Sequence, residues 1–295
     1  MQALETALSI SLKNILLATD FSSGSDVALK HALAVSARHS AQVHAIHVAA
    51  PDCYQLLDPE AFALTFQGWA AKSRNQPEIL RGLMEGLPSA VPLRPGPVWQ
   101  VISEIVKRNQ IDLLVLASHG RHGIPRMVLG SVAEDVFRNV SCPVLTVGPD
   151  VEACPANHLN VQNVLLATHF EPNSLAPAYA RWVANKFRAE LTVLHVADER
   201  QRTIKTDLMT QMRSIVPEDG SFWHKATFVI AYGLPSSRIL DVARRIKPDL
   251  IVLGARHPEP ARINSHLPWA TAARVIAEAP CPVLTVRQEE QYAGY

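Results

Sequence analysis

Hydrophobic positions follow two alternating rhythms along the chain. Short, mostly apolar runs occur at ILLA (15–18), VHAIHV (43–48), LLVLA (113–117) and VLTV (144–147). They are short and partly β-branched, as strands buried on both faces are. Between them, residues 25–38, 97–109 and 130–139 carry apolar side chains at helical spacing. Val98, Val101, Ile102, Ile105 and Val106, for example, form one stripe. A weaker run, AVPLRPG (90–96), is a candidate further strand limited by its prolines. Residues 53–87 carry Phe62, Phe66 and Trp69 and read as a helix packed on its own sheet, with a partner surface as the other reading. Alternating strands and helices predict an α/β fold. Its parallel sheet is covered by helices and joined by right-handed crossovers.

The rhythm is written twice. KNILLATDF (13–21) answers QNVLLATHF (162–170), and CPVLTV occurs at 142–147 and again at 281–286. AQVHAIHV (41–48) answers AELTVLHV (189–196), and IDLLVLA (111–117) answers PDLIVLG (248–254). Four matches in the same order indicate one domain in two copies. The expected domains are residues 1–150 and 160–290, each a doubly wound α/β unit of about five strands. The join falls in the Pro-rich, polar stretch around residues 148–160.

Composition narrows the function classes. The 295 residues are 48% hydrophobic and 19% charged, which suits a globular chain and not a disordered one. The net charge of +1 gives no general pull toward DNA or an anionic membrane. No stretch reaches the ~20 apolar residues of a membrane span, and residues 1–12 lack a basic leader. A cytoplasmic protein is therefore expected. Cys53, Cys142, Cys154 and Cys281 form no C-x-x-C pair, so neither a disulfide framework nor a zinc knuckle is expected. The twelve histidines are read as structural or surface residues without a metal.

Open parallel sheets bind ligands beyond the carboxyl ends of their strands. In copy one those ends lead into Thr19-Asp20-Phe21-Ser22, Val48-Ala49 and Ala117-Ser118-His119-Gly120-Arg121, and Gly130-Ser131 then opens a helix. Gly120 permits close backbone approach. Gly130 and Ser131 stand at a helix amino end, which favours an anion, and Arg121 adds a forked cation. Together they suggest a phosphate cradle. A turn with a capped helix is the plainer reading of the same residues. Ser22 or Ser23 reads as the cap of the first helix. No Walker A loop, G-x-G-x-x-G run or G-x-S-x-G elbow is present.

The repeat, the Thr19-Asp20-Phe21-Ser22 segment, the His47-Val48 strand end and the closing Pro-Val-Leu-Thr-Val strand resemble the universal stress protein family. The family's phosphate signature is Gly-x-x-Gly, nine residues, then Gly-Ser or Gly-Thr. Copy one reads Ala117-Ser118-His119-Gly120, nine residues, Gly130-Ser131, departing only at the first glycine. The resemblance implies a five-stranded parallel sheet of order 3-2-1-4-5 in each copy, often dimerised through the last strand. It also implies ATP or a related adenine nucleotide between strands 1 and 4. Thr19 and Asp20 would then lie near the ribose, and the Val48 backbone would meet the adenine edge. Gly120, Arg121, Gly130 and Ser131, with His119, would hold the phosphates.

Copy two departs at each of these points. His169 answers Asp20, Gly254-Ala255-Arg256-His257 answers the strand 4 loop, and Trp269-Ala270 answers Gly130-Ser131. Copy two is expected to have lost the usual site and to serve as a built-in dimer partner, closing strand beside closing strand. A homo-oligomer is the other arrangement. The expected role is a non-enzymatic sensor or regulator in stress response, with no catalytic residues and an unnamed protein partner. The rivals are an adenylating or ATP-hydrolysing enzyme using the strand 1 loop, or a nucleotide-free dimerisation scaffold.

Overall fold

The computed structural model describes residues 10–20, 22–50, 53–56, 97–119, 129–154, 159–170, 174–198, 205–216, 226–255 and 268–287. Copy one contains β1 (Asn14–Thr19), α1 (Ser23–His39), β2 (Gln42–Ala50) and β3 (Cys53–Leu56). It continues with α2 (Val98–Arg108), β4 (Leu113–Ala117), α3 (Ser131–Asn139) and β5 (Val144–Val147). Copy two contains β6 (Asn163–Thr168), α4 (Ala176–Phe187), β7 (Glu190–Ala197), α5 (Lys205–Ile215) and β8 (Thr227–Tyr232). It ends with α6 (Pro235–Ile246), β9 (Leu250–Ala255), α7 (Pro268–Glu278) and β10 (Val283–Arg287).

All ten strands join in one sheet, ordered β3-β2-β1-β4-β5-β10-β9-β6-β7-β8. Each half therefore has the expected 3-2-1-4-5 order. The expectation of five parallel strands fails at one edge. In copy one, β3 runs antiparallel to β2, with Val48 opposite Tyr54. The cause is connection length: β3 follows β2 almost at once, and a parallel return needs a crossover of a dozen or more residues. In copy two the chain passes through α5 first, and β8 lies parallel to β7. The helix expected over 53–87 is overturned at its start, where Cys53–Leu56 pairs with β2 as a strand; the rest of 53–87, and the candidate strand at 90–96, lie outside the described residues.

Side chains alternate across the sheet, so each strand feeds two cores. Ile15, Leu17, Val43 and Val115 pack under α1, in a cluster shared with α4. Leu16, Ile46, Leu114 and Leu116 pack under α2 and α3, in a cluster shared with α6 and α7. The stripe Val101, Ile102, Ile105 and Val106 is buried as its spacing requires.

The copies meet where β5 and β10 pair antiparallel, Leu145 opposite Leu284. The Thr285 hydroxyl donates to the Val144 carbonyl (3.2 Å), and the buried Arg287 guanidinium donates to the Phe137 carbonyl. On the α1/α4 face, His39 stacks on Trp182 with centroids 5.0 Å apart, and Arg38 lies over the Phe187 ring. The linker is tied back to α1. His31 Nε2 donates to the Glu152 carbonyl (3.2 Å), which leaves Nδ1 to accept from the Cys154 thiol (3.3 Å). Burial pushes the Cys154 thiol up to about 11, and Cys142 and Cys281 up to about 12. Thiols held so fully protonated are inert as nucleophiles.

Candidate functional site

The first copy's candidate residues gather where β1 and β4 lie side by side, Ala18 opposite Leu116. The strand order reverses here, with β2 on the far side of β1. Thr19 ends β1 and is buried, and Val48 lies on β2 one residue beyond the His47 that pairs with Thr19. Asp20 follows at once and organises the turn. Its Oδ1 accepts from the Ser22 amide (3.0 Å) and the Ser25 hydroxyl (2.7 Å). Ser22 is the cap of α1, its hydroxyl accepting from the Ser25 amide (3.3 Å), as its position before the helix predicted. Burial raises the Asp26 carboxyl above its usual range, Lys30 opposes that, and Asp20 adds to it.

Two residues owe their identity to close approach. A Cβ on Gly24 would stand 3.2 Å from both Ala117 Cβ and the His119 carbonyl, so glycine lets the first turn of α1 press on the end of β4. Gly130 caps α3 and donates its amide to the Ser118 carbonyl (2.9 Å). A Cβ there would stand 3.0 Å from that same oxygen. The sequence points to Gly130 as part of a helix amino end that favours an anion, and gives Gly24 no packing role. A glycine in the first turn of a helix was the available signal for Gly24.

The amino end of α3 has no side-chain cap, because its capping residue is glycine. Its first amides are left without the side-chain partner that Ser22 supplies to α1. Beside it, Ser118 is buried with its hydroxyl 2.8 Å from His119 Nδ1. His119 Nε2 is buried without a partner among the described residues. Gly120 and Arg121 lie outside the described residues, and of Ser131 only the backbone is described, as the first residue of α3.

The second copy ends its strands differently. The backbone of β9 stays in register with β10 through Ala255, paired with Arg287, where the β4–β5 register of copy one ends at Ala117. Phe170 takes a left-handed backbone conformation (φ 56°), and its ring packs 4.1 Å from that of His195 on β7. The His169 ring also stacks on His195, with centroids 6.1 Å apart. Burial lowers the His195 pKa, so the imidazole is neutral at pH 7, and its Nδ1 donates to the Thr168 carbonyl (3.0 Å). α7 starts at Pro268, which has no amide to offer an anion.

Among the described residues, no group of three or more His, Cys, Asp or Glu is placed to hold a metal. No described helix is long and apolar enough to cross a membrane.

The universal stress protein family model matches the chain twice, over residues 11–148 and 160–287. A universal stress protein of Methanocaldococcus jannaschii (MJ0531) is 31% identical over 141 residues, which are 46% of this chain and 81% of that protein. A second from the same organism (MJ0577) is 27% identical over 157 residues, 48% of this chain and 97% of that protein. The crystal structure of a universal stress protein from Archaeoglobus fulgidus spans both copies. It covers 95% of this chain and 98% of its own at a TM-score of 0.67 and 20% identity, a likeness of fold. The double match over most of the sequence identifies the chain as a member of the universal stress protein family in a tandem, two-domain form.

Proposed function

We propose that the chain binds an adenine nucleotide, ATP in the first instance, at the β1/β4 tip of copy one. Copy two would lack an equivalent site. The observation that carries this reading is the meeting of three features at one strand tip. The α3 amino end is open to an anion, Gly130 is drawn against Ser118, and His119 Nε2 is buried without a described partner. A phosphate chain satisfies the first and the last, since helix amides and an imidazole N–H both donate to phosphate oxygens, and the second holds the α3 amino end beside β4. In the family signature Gly120, Arg121 and Ser131 complete the phosphate set. Asp20 and Thr19 sit on the ribose side, and Val48 on the adenine side.

The role we assign is that of a sensor or regulator in stress response, in which bound nucleotide changes the surface offered to a partner. Isothermal titration with Mg-ATP tests the reading. One site per chain is expected, and absence of binding to ATP, ADP and AMP alike would overturn it. At a hundredfold excess over Kd, bound ligand should add about 2.7 kcal/mol of stability. Sustained turnover at the 1–10³ s⁻¹ of ordinary enzymes would replace the sensor with the enzyme reading.

A further inference from the structure

Between the two copies, on the α1/α4 face and over the β5–β10 pairing, lies a cavity of about 750 Å³. That is within the few hundred to a thousand Å³ of small-molecule sites, and junctions between domains are where such sites are common. None of Thr19, Asp20, Val48, His119 or Gly130 lines it. Leu145 and Leu284, paired across the junction, form part of the wall, and Val35 on α1 and Val183 on α4 form more. Tyr179 and Trp182 add half-buried aromatic rings.

Several polar groups of the wall are already engaged. Asp249 accepts from the Gln162 and Asn163 amides (2.7 and 2.9 Å). Arg244 lies within ion-pair distance of Asp241 and Glu278. His31 and Cys154 satisfy each other and the linker. Burial lowers both His31 and His39, so neither imidazole is charged at pH 7. Exposed charges remain at the margin, and they are of both signs: Lys247, Asp150 and Glu152. A charged ligand would lose its hydration without gaining a counter-ion in the wall. An uncharged hydrocarbon surface loses nothing and gains burial.

We propose that this cavity binds a neutral, hydrocarbon-rich small molecule held between the two copies. An acyl chain and a fused-ring compound share that chemistry, and the test separates them. The full chain is titrated with the neutral fluorophore N-phenyl-1-naphthylamine, then challenged with decanol, with decanoate and with pyrene. Saturable binding of one probe per chain is expected, with decanol or pyrene displacing it at least tenfold better than decanoate. Displacement by decanol alone marks an acyl chain, and by pyrene alone a fused ring. Val35→Phe and Leu159→Trp each fill part of the cavity and should weaken the probe tenfold or more. Far-ultraviolet circular dichroism shows that each variant is folded. Absence of saturable binding, unchanged binding in a folded filling variant, or a preference for decanoate would overturn the proposal. Mg-ATP titration of the same samples should be unaffected by the filling variants, so failure here is distinguishable from failure at the strand tip.

Discussion

Asp112 and Asp249 hold the same position in the two copies and make the same bonds, whereas Ser118 and Ala255 share a position and do not. At the amino ends of the strands, Asp112 Oδ2 accepts from the amides of Lys13 and Asn14 (2.7 and 2.9 Å). Asp249 does likewise for Gln162 and Asn163 at the same distances. At the carboxyl ends, β4 stops at Ala117, and Ser118 keeps its amide on the Val147 carbonyl while its own carbonyl accepts from Gly130, whereas β9 runs on to Ala255, paired with Arg287. One chain thus holds the fold's requirements fixed in both copies and lets the carboxyl ends of the strands differ. What the copies share is what the fold needs, and the proposed site lies where they differ.

The largest expected effect tests the shared end. Asp112→Ala and Asp249→Ala each leave two strand-leading amides without a carboxylate acceptor. Each should lose about 2 kcal/mol in urea denaturation, since bonds to a charged group contribute about 1.5–3 kcal/mol. The effects should match within about 0.5 kcal/mol. A large mismatch would show that the two frames are not equivalent.

Next in size is a contrast between two glycines. A Cβ at Gly130 meets the backbone carbonyl of Ser118 at 3.0 Å, and one at Gly254 meets the Ser174 hydroxyl at 3.1 Å. The carbonyl is fixed by its own hydrogen bond, whereas the hydroxyl can turn aside. Gly130→Ala should therefore cost about 1–2 kcal/mol, in the range of mild overpacking. It should also reduce nucleotide affinity by tenfold or more. Gly254→Ala should stay within about 0.5 kcal/mol and leave affinity alone. Equal costs would remove the distinction between the two tips.

A third test uses acid. α1 ends in His39 where α4 ends in Phe187. Burial, with Lys186 and Arg38 nearby, holds the His39 pKa down to about 4. An unfolded imidazole takes its proton near pH 6.5. Between those values the unfolded chain carries the extra proton, so stability falls as pH drops from about 6.5 to 4. Partial solvent contact screens the effect to about 1 kcal/mol. His39→Phe makes copy one like copy two and keeps the stack on Trp182. Its stability should be flatter over that window in pH-dependent urea melts. An unchanged slope would assign the acid sensitivity to His31, His44 and His195, which burial lowers in the same sense.

Much of the fold was legible because repetition supplied a second reading of every strand. Apolar runs gave β1, β2, β4 and β5, and the resemblance to a family that often dimerises through its last strand gave the β5–β10 pairing. The strand β3 was not legible. Cys53–Leu56 opens the stretch whose composition suggests a helix, and neither the strand nor its hairpin direction follows from anything but its closeness to Ala50. At the site, Asp20, His119 and Gly130 were found because each follows a strand or opens a helix. The duties of Gly24 and Ser25 were hidden, since they arise from contacts across the tip: Gly24 against Ala117, and Ser25 against Asp20. The cavity was invisible in the sequence, because its walls are ordinary core residues that only the junction of two copies brings together.

The smallest effect is the sharpest test of equivalence. Ser40 and Arg188 follow α1 and α4 in the left-handed conformation, with φ of 53° and 54°. A non-glycine residue there costs about 1–2 kcal/mol, which glycine avoids. Glycine also gives the unfolded chain more freedom, which takes back about 0.4–1 kcal/mol. Ser40→Gly and Arg188→Gly should each therefore stabilise the chain by about 0.5 kcal/mol, measured as a small rise in urea midpoint. Neither cap lines the cavity or the strand tip, so nucleotide and probe binding should not move. A gain at Ser40 without one at Arg188 would mean that α4 is held by its contacts with α1, such as Arg38 on Phe187 and His39 on Trp182, and not by its own cap. The second copy would then depend on the first for its local geometry, and the two halves would be one folding unit and not a frame repeated twice.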